Sequence, residues 1–165
     1  MNTQTQDKDK HQHRVMGFTE LKGWLRHQHP MVYLDRVLDY EPASYIKTLM
    51  AVSGQTDAIA GHFPERAIFP ASHMVQAISQ SAIILFQLST SPLADDEITL
   101  VGSIKSRFIR VVVPGDQIIF HLNCEMLRDN FLTFSCRAEV TKQTVGMLKG
   151  SLVRQNISTL GTQLW

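Results

Sequence analysis

The sequence predicts an α+β domain in which one antiparallel sheet wraps a long buried helix. Three observations carry that expectation. From Ala67 to Ala94 there is no Asp, Glu, Lys or Arg, and a helix can go uncharged over that length only if most of its circumference is covered. Beyond Asp96 the pattern changes to period-two alternation and short apolar runs, as strands require. Ahead of the helix, two strand-like segments flank a turn containing Pro42. Short helix, hairpin, long helix and then consecutive strands is an α+β order.

Residues 1–15 are polar and read as a disordered tail. His11 and His13 in it are either a solvated pair or a metal-binding one. Thr19–His27 has Leu21, Trp24 and Leu25 on one helical face, and Pro30 stops it. Met31–Tyr40 reads as a strand, Glu41–Ser44 as a turn and Tyr45–Val52 as the hairpin's second strand. Residues 53–69 read as irregular. Pro70 suits the first turn of a helix, which runs to about Leu88 and ends before Ser91-Pro92. Met74, Ile78, Ala82 and Leu85 form one face of it, and Ser72, Gln76, Ser79 and Gln80 put a polar streak on another. Glu97–Val113 has strand character, and Pro114-Gly115-Asp116 marks a turn. Gln117–Leu127, Leu132–Thr141 and Val145–Arg154 read as three further strands. The expected organisation is one domain over residues 16–155, followed by a loose tail at 156–165.

A chain of 165 residues with 44% apolar content fits one domain with a real core. Its 19% charged content is below the usual quarter, which points to further buried surface such as an oligomer interface. A net charge of +1 gives no field that would select nucleic acid. Cys124 and Cys136 form no CxxC and read as small apolar strand residues. The polar N-terminus lacks a signal peptide's apolar stretch. In lipid, His73, Gln76, Gln80 and Gln87 would make Ala67–Ala94 a costly span. A cytoplasmic protein without a membrane partner is expected.

The candidate chemistry gathers around the start of the long helix. His62 precedes it, with a side chain that titrates near neutrality. It is either a general acid/base or a structural histidine bonding the loop backbone. The helix start at Ala71–His73 offers backbone N–H groups that can hold an anion or polarise a carbonyl, as any helix start can. His73 and Gln76 share a face at spacing i, i+3. His73 is either an auxiliary acid/base group or a buried, hydrogen-bonded histidine. Gln76 can donate and accept hydrogen bonds but cannot exchange a proton near neutral pH. Lys105, Arg107 and Arg110 alternate through an apolar strand, either to hold a phosphate or acidic partner or as a solvated face. No Walker loop, dinucleotide fingerprint, HExxH or GxSxG occurs.

Three segments together resemble the 3-hydroxyacyl-acyl-carrier-protein dehydratases of fatty-acid synthesis. HQHPMVYLDRV (His27–Val37) is similar to that family's HxxP…DRV opening. GHFPERAIFPASHMVQAISQ (Gly61–Gln80) is similar to its GHFPxxPxMPGxxxxEAxAQ signature. KSRFIRVVVPGD (Lys105–Asp116) is similar to its KxRFxRxVxPGD strand and turn. Order and spacing agree, and the resemblance spans about Thr19 to Arg154.

The resemblance implies the hot-dog fold and a dimer, often a trimer of dimers, with the active site at the subunit interface. It also implies a substrate carried on the phosphopantetheine of acyl carrier protein, with no further cofactor. By position, His62 matches the catalytic histidine that takes the α-proton. Ala71 replaces the glycine whose N–H polarises the thioester carbonyl. Gln76 stands where the catalytic carboxylate belongs, so it is expected to orient the substrate hydroxyl or a water. His73 replaces an aliphatic residue. Lys105, Arg107 and Arg110 are candidates for the carrier-protein or pantetheine contact. The glutamine leaves several outcomes open. The chain can dehydrate 3-hydroxyacyl thioesters to trans-2-enoyl thioesters in a fatty-acid or polyketide-like, specialised-metabolite pathway. It can isomerise an enoyl thioester, or hydrolyse a thioester, with His62 alone. It can also be an inactive or half-active subunit paired with a related hot-dog chain, a heterodimer in place of a homodimer.

Overall fold

A computed structural model describes residues 14–161. In chain order the elements are α1 (Phe18–Lys22), β1 (Arg36–Glu41), β2 (Tyr45–Ala51), α2 (Asp57–His62), α3 (Ala71–Ser89), β3 (Glu97–Phe108), β4 (Gln117–Arg128), β5 (Phe131–Val140) and β6 (Gln143–Asn156), closed by a 3-10 turn at Ile157–Leu160. The strands form one six-stranded antiparallel sheet in the order β1-β2-β4-β5-β6-β3. This is the expected α+β arrangement, with the sheet against the long helix.

α3 touches β2, β3, β4, β5 and β6, and every residue from Ala77 to Gln87 is buried. Alternate residues of the strands supply the facing layer: Ile118, Phe120 and Leu122 from β4, and Leu132, Phe134 and Cys136 from β5. The opposite side of the helix is covered by the segment between α1 and β1, and two buried glutamines fasten it. Gln80 accepts from the Tyr33 N–H at 3.0 Å and donates to the Met31 carbonyl at 2.6 Å. Gln87 donates to the Trp24 carbonyl at 2.6 Å and accepts from the Leu93 N–H at 3.0 Å. A buried amide is tolerated when both its ends are bonded. The polar streak on α3 is therefore the seam for an overlying strap.

That strap explains one boundary that the sequence pattern misplaces. Met31–Asp35 looks like a strand, but β1 begins only at Arg36, because the backbone at Met31 and Tyr33 is bonded to Gln80. α1 stops at Lys22 rather than His27, with Gly23 as its C-cap. β3 ends at Phe108 rather than Val113, since the Ile109 N–H turns to the Val145 carbonyl and the Val112 carbonyl to the Phe69 N–H. The stretch read as irregular contains α2. Arg14 donates its N–H to Asp39, and Met16 bridges to Val37. His11, His13 and the last four residues of the chain lie outside the described residues.

Both cysteines are free, Cys136 buried and Cys124 half-buried; burial pushes both thiols up. Among the described residues no helix is long and apolar enough to cross a membrane.

Gly150 tests the packing directly. It pairs with Phe134 in the β5–β6 ladder, and a Cβ there would lie 2.8 Å from the Phe134 ring and 3.0 Å from the Ser103 carbonyl. Phe134 is fully enclosed and the carbonyl is backbone, so neither yields easily. Gly150→Ala is expected to cost about 1–3 kcal/mol of unfolding free energy, read by urea denaturation. An unchanged midpoint would show that the ring has room to move.

Candidate active site

His62 is the last residue of α2 and is exposed; it therefore closes a helix rather than riding on a loop. Pro64 ends that helix: Phe63, which precedes it, is extended at φ −136° and ψ 93°. The His62 Nδ1 lies 2.9 Å from the Ile68 carbonyl. A carbonyl only accepts, so Nδ1 carries the proton and Nε2 keeps its lone pair. The structural role and the chemical one are thus compatible, because one ring nitrogen anchors and the other is left as a base.

The chain then enters α3. The Phe69 N–H donates to the Val112 carbonyl at 2.8 Å, which ties the helix start to the Pro114-Gly115-Asp116 turn. Gly115 sits at φ +96°, where a side chain would be strained. Its N–H donates to the Val52 carbonyl, and the Val52 N–H donates to the Asp116 carbonyl, both at 2.9 Å. The turn thereby clamps the approach to α3 onto the end of β2. Pro70 caps α3 without a side-chain hydrogen bond, and the Ala71 N–H has no partner among the described residues. It is a free donor at the positive end of a helix of 19 residues.

His73 stands edge-on to Tyr33, with ring centroids 5.0 Å apart, and to Phe69 at 5.7 Å. Burial, and then a charge on nearby His62, push its pKa down. His73 lines a cavity of about 700 Å³ together with Met31, Tyr33, Met50 and Phe69. Gln76 is turned elsewhere: its Nε2 lies 3.0 Å from the Nε2 of His27. Lys105, Arg107 and Arg110 are exposed on and just after β3. Lys105 pairs across the ladder with Lys149, and Arg110 donates to Gln143. No hydrogen bond or ion pair among the described residues links these three to His62 or Gln76.

Residues 25–149 match the FabA-like domain. The chain belongs to the FabA-like family. Coronafacic acid dehydratase of Pseudomonas savastanoi pv. glycinea is 73% identical over the full length of both proteins. The 3-hydroxyacyl-acyl-carrier-protein dehydratase FabZ of Dichelobacter nodosus is 33% identical, covering 79% of this chain and 90% of that protein. Among solved structures, the dehydratase heterocomplex ApeI:P from Xenorhabdus doucetiae superposes with a TM-score of 0.71 at 12% identity, covering 85% of this chain and 93% of that one. A hot-dog-like protein from Thermanaerovibrio acidaminovorans gives 0.58 at 14% identity, covering 73% and 87%. At such identities the likeness establishes the fold, which is the hot-dog fold expected from the sequence.

Within this FabA-like domain, sequence reasoning gave no role to three residues that stand beside the candidates: His27, Tyr33 and Lys149. His27 lies 49 positions from the glutamine it touches, and spacing offers no signal at that range. It was visible only as part of the HQHP segment.

Three of the domain's histidines are expected to make the fold sensitive to acid. Burial is the first cause lowering the pKa of His27, His73 and His121; for His121, Glu139 opposes it. Each is depressed below the ordinary 6.5, so the unfolded chain takes up protons before the folded one. Their contribution is present in full above that value and is lost as pH falls through the depressed folded values. The melting temperature is expected to be flat just above neutrality and to fall on acidification, less steeply in His27→Phe. A melting temperature that rises between pH 7 and 5 would contradict this.

Proposed function

We propose that this chain dehydrates 3-hydroxyacyl thioesters carried on an acyl carrier protein, in a polyketide pathway of the coronafacic acid kind and in the cytoplasm. The observation that carries the reading is His62, with Nδ1 fixed on the Ile68 carbonyl and Nε2 without a hydrogen-bond partner among the described residues, just ahead of an α3 start whose Ala71 N–H is likewise unbonded among them. The full-length relative named as coronafacic acid dehydratase supports the pathway class.

His62 Nε2 takes the proton from the carbon next to the thioester carbonyl. The Ala71 N–H stabilises the negative charge that develops on the carbonyl oxygen. The electron pair forms the new double bond as the C–O bond at carbon 3 breaks. The departing hydroxide takes the proton back from the His62 imidazolium and leaves as water. The products are a trans-2-enoyl thioester and one water, and His62 returns to its starting state. Gln76, reaching the site from the facing subunit across the proposed interface, supplies hydrogen bonds to the hydroxyl but no proton. His73, kept neutral beside His62, serves as an auxiliary wall of the site. Lys105, Arg107 and Arg110, with Lys149, form the surface for an acidic carrier protein.

The test is turnover of 3-hydroxyacyl thioesters by the purified protein, followed by the appearance of the enoyl product. Isomerisation or thioester hydrolysis in its place would overturn the dehydratase reading. Turnover that needs a co-purified related chain would assign this protein to an unequal pair, a reading motivated by the missing carboxylate at Gln76.

Pairing of subunits has a physical basis in β3. Among the described residues it is an open sheet edge of 12 residues, and Val101 on it is 50% exposed. An unpaired apolar edge invites another strand. The proposed subunit contact runs along β3, as a homodimer or as part of a trimer of dimers. Val101→Asp is expected to shift the protein to monomers in light scattering and to remove turnover. A stable, active oligomer in that variant would place the interface elsewhere.

A further inference from the structure

Gln76, Gln80 and Gln87 all reach from α3 to the overlying strap, but they do not reach in the same way. Gln80 and Gln87 each bond backbone groups through both ends of the amide. Gln76 uses only its Nε2, on a side chain, His27, and its Oε1 accepts nothing among the described residues. It is half-buried, whereas Gln80 is wholly enclosed. A carboxamide nitrogen has no lone pair to offer, so Nε2 must donate, and the His27 Nε2 is the acceptor. The His27 proton then sits on Nδ1, a buried atom with no hydrogen-bond partner among the described residues. A pair serving only to fasten the strap would satisfy both sides, as the other two glutamines do. This pair leaves one donor unsatisfied and one amide half free.

We propose that His27 is a positioning residue for the reaction: by accepting one N–H of Gln76, it orients the carboxamide so that Oε1 and the remaining N–H engage the substrate's 3-hydroxyl. The inference rests on the dehydratase reading above and deepens it. A carboxylate presents two like oxygens, so turning it end for end changes nothing. An amide does not, and reversal would exchange its donor with its acceptor. The replacement of a carboxylate by Gln76 therefore creates a need for an orienting neighbour, and a neutral imidazole meets it. Burial keeps His27 in the form that can accept.

The test compares wild type, His27→Phe and His27→Gln on the same 3-hydroxyacyl thioester, with melting temperature and side-chain nitrogen NMR of the His27 ring. The NMR is expected to show His27 protonated on Nδ1 in wild type. His27→Phe, which cannot accept, should lower kcat about 10–100-fold with KM within about twofold, as for loss of an interaction made in the transition state. His27→Gln, whose side-chain oxygen can accept, should recover much of kcat. An unchanged kcat in His27→Phe, or an Nε2-protonated ring, would overturn the role of His27. So would equal losses in both variants that track a lowered melting temperature, since the residue would then act only through the fold. Wild-type protein without dehydration, alone or with a partner chain, would overturn the reading of the reaction instead, and the NMR would still report the pair.

Discussion

His62→Ala is expected to lower kcat for 3-hydroxyacyl thioester dehydration by about 10⁴-fold or more. Removing one positioned acid or base typically costs about 10²–10⁴. In the proposed mechanism one ring carries out both transfers, taking the α-proton and returning it to the leaving hydroxide, so the loss should lie at or beyond the upper end. The variant should fold, because the ring is exposed, and exposed substitutions usually change stability by less than about 0.5 kcal/mol. The contacts at risk are the bond to the Ile68 carbonyl and the ring contact with Phe63. His62→Gln can keep a donor for that carbonyl yet cannot act as a base, and it should be as inactive as His62→Ala. Turnover that survives either substitution would remove His62 from the mechanism. A loss confined to His62→Ala would mean that the ring's role is to hold the loop.

How much of this site was legible in the sequence depends on the range of the interaction. The uncharged run around α3 announces its burial, and Ala77–Gln87 are indeed all enclosed. Period two announces the strands, because alternation is a property of each strand by itself. The partnership of Gln80 with Met31 and Tyr33, 47 or more positions away, has no local signature. For that reason Met31–Asp35 looks like a strand and is a strap. α2 was hidden for a different reason. Its six residues are too few for a helical period to stand out, and Gly61 and the two prolines nearby read as loop. The Pro114-Gly115-Asp116 turn was visible as a turn, but its work of holding the start of α3 through Val112 and Phe69 emerges only in three dimensions.

The same limit applies to Gln76. Its place in the motif matches the family's carboxylate by resemblance, while the neighbour its amide touches is His27. That neighbour decides what restoring a carboxylate would do. Gln76→Glu is expected to raise kcat by about 10²-fold near neutral pH, the lower end of what a general acid contributes. A glutamate at this position lies beside the His27 Nε2, which the amide now approaches to 3.0 Å. The carboxylate would favour the imidazolium and pull the His27 pKa back up from its depressed value. The pair would then hold one transferable proton where the amide and neutral imidazole hold none. The gain should fade at alkaline pH as that proton is lost, so the rate of the variant should acquire a falling limb that His27→Phe alters. A variant no faster than wild type at any pH would mean that protonation of the leaving hydroxyl does not limit this protein. The departure at Gln76 would then be an adaptation of substrate orientation, and His62 would already supply all the acid chemistry that the reaction needs.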